Sequence, residues 1–211
     1  MTAKKRTFER ALRLLYCTTP LRAMKNYATV SDAELWDDFR QGSRTAYAAI
    51  YERYARVLYN YGYKIAQERQ LTEDCIQDLF LIILESRERL AATDSIKFYL
   101  FRALRREIVR KLQKRQLFDG GEGSDESADF RAVFTHEPTW LDHQISTEQS
   151  AELLLELNRL PARQKEAIFL KFYDNLSYEE IAGVMGIEQT SAYKIIYKAL
   201  DRLQDRLMVD F

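Results

Sequence analysis

The sequence of 211 residues is poor in helix-breaking residues and has no apolar run long enough to span a bilayer. It contains three prolines, and none lies between Leu21 and Glu137. Because proline is the strongest helix breaker, the first half of the chain can form long helices. No apolar run approaches the roughly 20 residues of a membrane span, and no cleavage site for secretion follows the basic start. We therefore expect a cytoplasmic protein with no membrane insertion.

Cysteine and histidine are equally scarce, with two of each. Cys17 and Cys75 are far apart and lack the spacing of metal ligands, and His136 and His143 are too few for a ligand set. We therefore expect reduced core thiols, no metal site and no cofactor. The carboxylates lie in capping or linker positions, and no activated nucleophile is evident, so we expect no enzyme activity and no catalytic residues.

The charges balance overall but are separated along the chain. With 32 basic and 32 acidic residues the net charge is zero, which taken alone argues against a nucleic-acid partner. Between Lys97 and Arg115, however, eight basic residues face one acid, a net charge of +7. Between Asp119 and Ser150, eight acids face one basic residue, a net charge of −7. A basic block followed by an acidic block is an organised pattern that indicates a polyanion partner for the first block.

Periodicity and glycine content divide the chain into four parts. Residues 1–27 form an N-terminal extension, most of which would be absent if translation started at Met24. Residues 28–116 have the pattern of a helical domain, residues 117–150 that of an acidic flexible linker, and residues 151–211 that of a second helical domain. The predicted fold class is all-α, with two small helical domains joined by the linker.

Apolar periodicity predicts four helices in the first domain. Ser31 caps the first helix, with Glu34 three residues later as in a capping box, and Thr72 caps the third. The fourth helix is expected to run from about Ser95 to Lys114. Most of the aromatic residues of these helices are expected to pack in the core.

The fourth helix carries two lines of residues, one apolar and one basic, that each recur every four positions. The lines are offset by two residues, which places them on opposite sides of the helix. Like charges one turn apart destabilise a helix, so this pattern favours a polyanion partner, and aromatic residues beside it favour a single strand. The apolar line is Ile96, Leu100, Leu104, Ile108 and Leu112, the basic line is Arg102, Arg106, Arg110 and Lys114, and the aromatic residues are Phe98, Tyr99 and Phe101.

The second domain contains the most specific motif. Ser177 and Glu180 form a capping box for a short helix. Gly186 then turns the chain, and a longer helix follows from about Gln189 to Leu207. This order is a helix-turn-helix pattern, which binds duplex DNA through the major groove. The preceding helix is expected to start at Pro161 and to bury Ile168, Phe169 and Phe172. A second basic line lies along the last helix and consists of Lys194, Lys198, Arg202 and Arg206.

The order of these elements resembles the extracytoplasmic-function sigma factors of the sigma-70 family. The resemblance extends from about Ser31 to Leu207 and is carried by three stretches, from Ala46 to Gly62, from Glu73 to Phe80 and from Leu160 to Ala182. It implies a transcription initiation factor that binds core RNA polymerase, directs it to specific promoters, and recognises and opens their DNA. It also implies an anti-sigma factor as a partner, and a linker that lies extended inside the polymerase.

The resemblance assigns three sites. The third helix would dock on the clamp helices of the polymerase β′ subunit through Glu73, Asp74, Gln77 and Asp78. The minus-ten element would be opened by Thr93, Asp94, Ser95, Lys97, Phe98, Tyr99, Arg102, Arg105 and Arg106. The second domain would bind the flap of the β subunit and contact the minus-thirty-five element through Ser177, Tyr178, Gln189, Thr190, Ser191, Tyr193, Lys194, Tyr197 and Lys198.

Other interpretations stay open at this point. A helix-turn-helix regulator that does not act as a polymerase subunit would explain the second domain but not Asp74, Gln77 and Asp78. A helical adaptor would not need a helix of charge +7 with aromatic residues at its start. The chain also departs from the family pattern, because Tyr99 and Arg106 stand where the family often has Trp and Asn. The resemblance therefore does not imply a promoter sequence.

Overall fold

The computed structural model describes residues 26–118, Phe130, Phe134 and 147–207. Every regular element in these ranges is helical, which confirms the predicted all-α class. Among the described residues no helix is long and apolar enough to cross a membrane. The predictions that concern Cys17, His136, His143, the start at Met24 and the acidic residues from Asp119 to Asp129 lie outside the described residues.

The chain divides into two compact units, Met1–Lys111 and Leu112–Phe211, with the division near the end of the fourth helix. Two further features join the elements of the first unit. A short 3-10 turn, Arg87–Arg89, follows the third helix, and an irregular loop of residues 90–95 leads into the fourth. The helices are α1 Asp32–Arg40, α2 Arg44–Ala66, α3 Arg69–Ser86 and α4 Ile96–Phe118.

Serine side chains start the first two helices, but the predicted cap at Thr72 is wrong. The Ser31 hydroxyl accepts a hydrogen bond from the Glu34 amide at 3.3 Å, as expected of an N-cap. Helix α2 ends at Gln67, which has a φ of 52°, and α3 begins only two residues later at Arg69. Thr72 is therefore buried inside the first turn of α3, where its hydroxyl donates to the Glu68 carbonyl at 2.8 Å.

The core of the first unit forms where α2, α3 and α4 approach most closely. A Cβ atom added at Gly62 of α2 would lie 3.1 Å from Thr72 of α3 and 3.1 Å from Ile108 of α4, so only glycine fits without a shift. Close by, the Phe101 ring stacks on Tyr61 with ring centroids 4.8 Å apart, and both rings are fully buried. The expectation that Phe101 offers a surface to bases is therefore wrong, because its ring completes this core.

The described residues of the second unit form four further helices and a π-helical turn. The predicted helix around Ile168 starts after Pro161, which lies at the N-cap, and passes into the π turn Phe169–Tyr173. The wider π turn changes the register of the side chains, so Phe169 is buried while Phe172 is 38% exposed, and the prediction of a buried Phe172 is wrong. The helices are α5 Thr147–Arg159, α6 Ala162–Ile168, α7 Tyr178–Met185 and α8 Gln189–Leu207.

Two aromatic residues from the segment predicted as linker pack on the second unit. Phe130 and Phe134 are 2% and 4% exposed, with rings 5.6 Å from Phe169 and 5.4 Å from Tyr173, respectively. The Asn158 side chain holds the Phe134 backbone at both ends, since it accepts from the amide at 2.8 Å and donates to the carbonyl at 3.1 Å. At these two positions the segment is therefore attached to the second unit.

Candidate functional site

Helix α4 presents a basic face opposite its buried side, as its sequence predicts. The buried side consists of Ile96, Leu100, Leu104 and Ile108, which are fully buried, whereas Arg102, Arg106 and Arg110 are exposed.

The basic residues of α4 differ in whether they have a carboxylate partner. Arg110 makes a bidentate contact with Glu107 at 2.7 and 2.9 Å, and Lys111 bonds to Asp78 at 3.0 Å. Arg102 and Arg106 have no ion pair within the described ranges. The cations available to a polyanion are therefore concentrated in the first three turns.

The Asp78–Lys111 ion pair gives Asp78 a different position from the other residues predicted to dock on polymerase. Its carboxylate is only 18% exposed and points toward α4. Burial opposes the charge of Lys111, but the hydrogen bond to Asp78 and the nearby Glu107 outweigh it and raise the pKa of Lys111. Burial also raises the pKa of the neighbouring Cys75 thiol to about 11, so this core cysteine is a neutral thiol near pH 7. Asp78 therefore fastens α3 to α4.

The remaining docking candidates lie on the outer face of α3. Glu73 pairs with Arg69 at 2.8 Å and Asp74 accepts from Gln70 at 2.9 Å, both one turn along the same helix. Gln77 follows on this face and is half-buried. Further along, Ile82 is 53% exposed. The outer face of α3 is therefore polar at its start and carries an exposed isoleucine farther along.

The loop before α4 is ordered by its own hydroxyl groups. The Thr93 hydroxyl donates to the Ser95 carbonyl at 3.2 Å and accepts from the Ser95 amide at 3.3 Å. The Ser95 hydroxyl accepts from the Phe98 amide at 3.2 Å, which is the bond of an N-cap. Asp94, at the tip, is exposed. Small polar side chains thus shape the loop and leave its tip open to solvent.

The aromatic residues at the start of α4 are less exposed than the sequence predicts. The Tyr99 ring lies 5.2 Å from the Trp36 ring, tilted by 54°, and burial raises the pKa of its hydroxyl. Phe98 is half-buried, and the Lys97 ammonium group lies 5.6 Å from the centroid of the buried Phe101 ring. The Tyr99 ring is therefore partly accessible to solvent, and its buried side packs against Trp36.

Three side chains of α1 that contact this loop are not predicted from the sequence. Asp32, Trp36 and Arg40 each hydrogen bond to the loop backbone or to the first residue of α4. A signal was available, because the three residues recur every four positions and so share one face. The buried indole of Trp36 also needs an acceptor for its N–H group. The partners of these side chains lie 50 to 64 residues away in the chain and cannot be found from local patterns.

The predicted helix-turn-helix is confirmed in α7 and α8. Ser177 accepts from the Glu180 amide at 3.2 Å, and the Glu180 carboxylate accepts from the Ser177 amide at 2.8 Å, which completes the capping box. Gly186 ends α7 with a φ of 65°. The residues predicted to contact the minus-thirty-five element from α8 are exposed apart from the half-exposed Ser191, namely Gln189, Thr190, Tyr193, Lys194, Tyr197 and Lys198.

The basic line along α8 divides in the same way as that on α4. Lys194 and Lys198 are exposed and have no ion pair in the described part of the chain. Arg202 donates to Gln164 at 3.1 Å, and Arg206 donates at 2.6 Å to the buried Glu156. These bonds attach the end of α8 to α6 and α5. The lysines are thus available to a partner, and the arginines hold the unit together.

Three tyrosine rings form a stack on the outer side of the helix-turn-helix. The centroids of Tyr178 and Tyr193 are 3.9 Å apart with planes 18° from parallel, and Tyr197 follows 6.5 Å from Tyr193. The Lys171 ammonium group lies 4.6 Å from the Tyr178 centroid. Burial, followed by the proximity of Tyr197 and Tyr193, raises the pKa of Tyr178, so its hydroxyl is a neutral donor near pH 7. We call these three residues the tyrosine stack.

Comparison with known proteins agrees with this geometry. The family model described as Sigma-70 region 2 matches residues 50–118, and that described as Sigma-70, region 4 matches residues 150–203. The RNA polymerase sigma factor SigF of Mycobacterium tuberculosis is 33% identical over 90 residues, which cover 42% of this chain but only 33% of SigF. The ECF RNA polymerase sigma factor BldN of Streptomyces coelicolor is 27% identical over 181 residues, or 84% of this chain and 66% of BldN.

A solved structure shares the fold. The sigma factor RpoE of Bartonella quintana, in complex with the anti-sigma factor NepR, has a TM-score of 0.53 and 24% identity, and the match covers 83% of this chain and 99% of RpoE. The two matched family regions contain the elements described above, α3 and α4 in the first unit and α7 and α8 in the second. The chain therefore belongs to the sigma-70 family of RNA polymerase sigma factors, in its extracytoplasmic-function (ECF) group.

Proposed function

We propose that this chain is a non-catalytic transcription initiation factor that binds core RNA polymerase, directs it to specific promoters, and recognises and opens their DNA. One observation carries most of the weight, namely that exposed cations with no ion pair among the described residues stand on two different helices. Arg102 and Arg106 follow an irregular loop, whereas Lys194 and Lys198 follow a tight helix-turn-helix turn. The first setting suits a single strand and the second suits a duplex.

The direct test is run-off transcription with the purified chain and core RNA polymerase on promoters selected from a random DNA library. We expect specific transcripts only when both proteins are present. A regulator that is not a polymerase subunit would bind duplex DNA but would neither co-migrate with core polymerase nor support these transcripts. That result would replace the proposed function by the alternative.

For polymerase docking we propose the outer face of α3, with Glu73, Asp74 and Gln77 against the clamp helices of the β′ subunit. All three side chains keep part of their surface accessible, and among the described residues the polar partners of Glu73 and Asp74 lie on α3 itself. Polar groups that become buried in a complex can lose ~1–3 kcal/mol of binding when truncated. Asp78 belongs to the same proposed site, and its bond to Lys111 suggests that it supports this face by holding α3 on α4.

For promoter opening we propose that the loop and the first turns of α4 hold the displaced strand of the minus-ten element. A base turned out of the duplex loses a few kcal/mol of stacking, which protein contacts must offset. The open loop tip offers a place for a base, and the exposed arginines offer charges for the phosphates. The proposed residues are Thr93, Asp94, Ser95, Lys97, Phe98, Tyr99, Arg102, Arg105 and Arg106.

For duplex recognition we propose that α8 lies in the major groove of the minus-thirty-five element. Gln189, Thr190 and Tyr193 lie near its start, where base edges are reached first, and Lys194 and Lys198 would meet phosphates. Ser177 and Tyr178 would lie near the DNA backbone, with Ser191 and Tyr197 beside the groove. Replacing thymine by uracil, which removes only the methyl group, would show whether the exposed ring of Tyr193 contacts a thymine.

Two further partners follow from the family. RpoE of B. quintana was solved with the anti-sigma factor NepR, and we propose that an anti-sigma factor also regulates this chain, in the cytoplasm where polymerase acts. We also propose that the second domain binds the β flap and that the acidic linker lies in the polymerase channel. Within the same segment, Phe130 and Phe134 pack against Phe169 and Tyr173 of the second unit.

A further inference from the structure

One face of α1 holds both ends of the loop that precedes α4. The Arg40 Nε group donates to the Leu90 carbonyl at 2.8 Å, and the Trp36 indole donates to the Ala91 carbonyl at 2.8 Å. At the other end of the loop, Asp32 Oδ2 accepts from the Ile96 amide at 2.9 Å. Asp32, Trp36 and Arg40 are each four residues apart, so they lie one turn above another on the same side of α1. We call them the α1 face.

The bond from Asp32 supplies a partner for the first amide of α4. The first amides of a helix have no acceptor within the helix, and an aspartate there also interacts favourably with the helix dipole. Asp32 is itself fixed, because it accepts from the Tyr54 hydroxyl at 2.6 Å and pairs with Arg53 at 2.9 Å. The start of α4 is therefore tied through Asp32 to α2.

Trp36 connects the loop to the aromatic residue proposed for strand contact. The Trp36 side chain is 1% exposed, its N–H group bonds to Ala91, and its ring lies 5.2 Å from the Tyr99 ring. Between the two fixed ends, Ala92 and Asp94 remain exposed. The loop is thus fixed where it meets the protein and accessible where a base would approach.

We propose that the α1 face is the positioning element of the promoter-opening loop, setting the loop and Tyr99 in the shape that receives a base before DNA arrives. The inference rests on the proposed function, and it concerns residues outside the segment 50–118 that the family model matches. A site whose supporting residues are locked in advance loses less conformational freedom on binding. Without these bonds the loop would have to become ordered at the moment of strand capture.

The test uses reconstituted holoenzyme with Trp36→Phe combined with Arg40→Met. Phe keeps an aromatic ring beside Tyr99 but removes the N–H donor, and Met keeps the aliphatic stem of Arg40 but removes the Nε donor. Arg56→Met is the matched control, since Arg56 is an exposed arginine of α2 with no partner among the described residues. Promoter opening is followed by permanganate reactivity of minus-ten thymines and by the rate of open-complex formation.

We expect opening by the double variant to fall about tenfold, the effect of losing about one net hydrogen bond at each of two sites. Retention of core polymerase and binding of an upstream minus-thirty-five duplex should stay at the wild-type level. In the chain alone, amide hydrogen exchange of residues 91–96 should become about tenfold faster while exchange in α7 and α8 is unchanged. A folding defect would instead change all of these measurements together.

Wild-type opening by a double variant with faster loop exchange would overturn the inference, and so would unchanged loop exchange. If the wild-type chain opens no promoter at all, the proposed function itself is wrong, and the exchange measurement still reports whether the α1 face holds the loop. If the double variant does not fold, Arg40→Met alone, which leaves the indole in the core, enters the same assays with an expected effect of about threefold.

Discussion

Helices α4 and α8 carry the same sequence pattern, a line of cations every four residues, and the structure uses both lines in two ways. In α4 the exposed Arg102 and Arg106 precede Arg110 and Lys111, which pair with carboxylates. In α8 the exposed Lys194 and Lys198 precede arginines that bond to Gln164 and Glu156. The first half of each helix is thus available to a partner, and the second half stabilises its own unit.

The two helices differ in what leads into them. An irregular loop, held at its ends by α1, leads into α4, and a half-buried Tyr99 follows it. A three-residue turn, residues 186–188, leads into α8, and the tyrosine stack lies on its outer side. A basic line alone therefore does not identify the ligand, because the two lines follow segments of different shape.

The largest effect is expected where the structural half of α8 is disrupted. Glu156→Gln leaves Arg159 and Arg206 without a charged acceptor, and hydrogen bonds to charged groups contribute ~1.5–3 kcal/mol. Both arginines are more than half exposed, so solvent weakens each of the two bonds to Glu156. We therefore expect the variant to lose only about 2 kcal/mol in the free energy of unfolding of the second unit. Urea denaturation measures this. Glu179→Gln, at an exposed position of α7, is the control, and an equal loss there would contradict the assignment.

The same group gives a pH dependence. The hydrogen bond from Arg206, against the opposing effect of burial, together with Arg159 lowers the pKa of Glu156. Because the folded-state pKa lies below the unfolded value of about 4.3, the stabilisation is present above that pH and is lost as pH falls through the folded-state pKa. Urea midpoints between about pH 6 and pH 3 should fall more steeply for the wild-type chain than for Glu156→Gln. Parallel profiles would refute this role of Glu156.

A smaller effect is expected for the structural half of α4. Asp78→Asn should lower the free energy of unfolding of the first unit by about 1 kcal/mol, since Asp78 and Lys111 are each about one-fifth exposed. Glu85→Gln, exposed on the same helix, should have little effect. If Asp78 acts by holding α3 on α4, Lys111→Met should weaken polymerase retention as much as Asp78→Asn does. Weakening by Asp78→Asn alone would show a direct contact instead.

The smallest effect is expected on the salt dependence of DNA binding, which should differ between the two halves of α8. Lys194→Ala should reduce the slope of log binding constant against log salt by about one unit for holoenzyme on an upstream duplex, with the same loss on all promoters. Arg202→Ala should leave the slope unchanged, because Arg202 is engaged with Gln164. Equal slopes for both variants and the wild-type chain would mean that this face of α8 does not meet phosphates.

The sequence predicts the features that depend on local periodicity. The opposite apolar and basic sides of α4, the capping box at Ser177 and the extent of α8 all follow from residues within a few turns of one another. Local patterns fail where a distant element or a change of register determines whether a side chain is buried or where a helix begins. The π turn exposes Phe172, which an α-helix would bury. The αL residue Gln67 ends α2, so that α3 begins at Arg69, before the predicted cap at Thr72.

Contacts between helices account for the remaining differences. Phe101 follows a charged helix start and looks exposed in sequence, yet it stacks on Tyr61 forty residues earlier in the chain. Asp78 continues the polar pattern of Asp74 and Gln77, yet Lys111 draws it toward α4. The loop contacts of α1 have the same origin, because their partners, the Leu90 and Ala91 carbonyls and the Ile96 amide, become neighbours of α1 only in the folded unit.

Permanganate footprinting of reconstituted holoenzyme tests the proposal that the first half of α4 opens promoter DNA while its second half is structural. Arg102→Ala combined with Arg106→Ala is compared with Arg110→Ala, which removes a cation already paired with Glu107. We predict reactive minus-ten thymines with the wild-type chain and with Arg110→Ala, and strongly reduced reactivity with the double variant, although it still retains core polymerase. Equal reactivity in all three proteins would show that Arg102 and Arg106 do not take part in promoter opening.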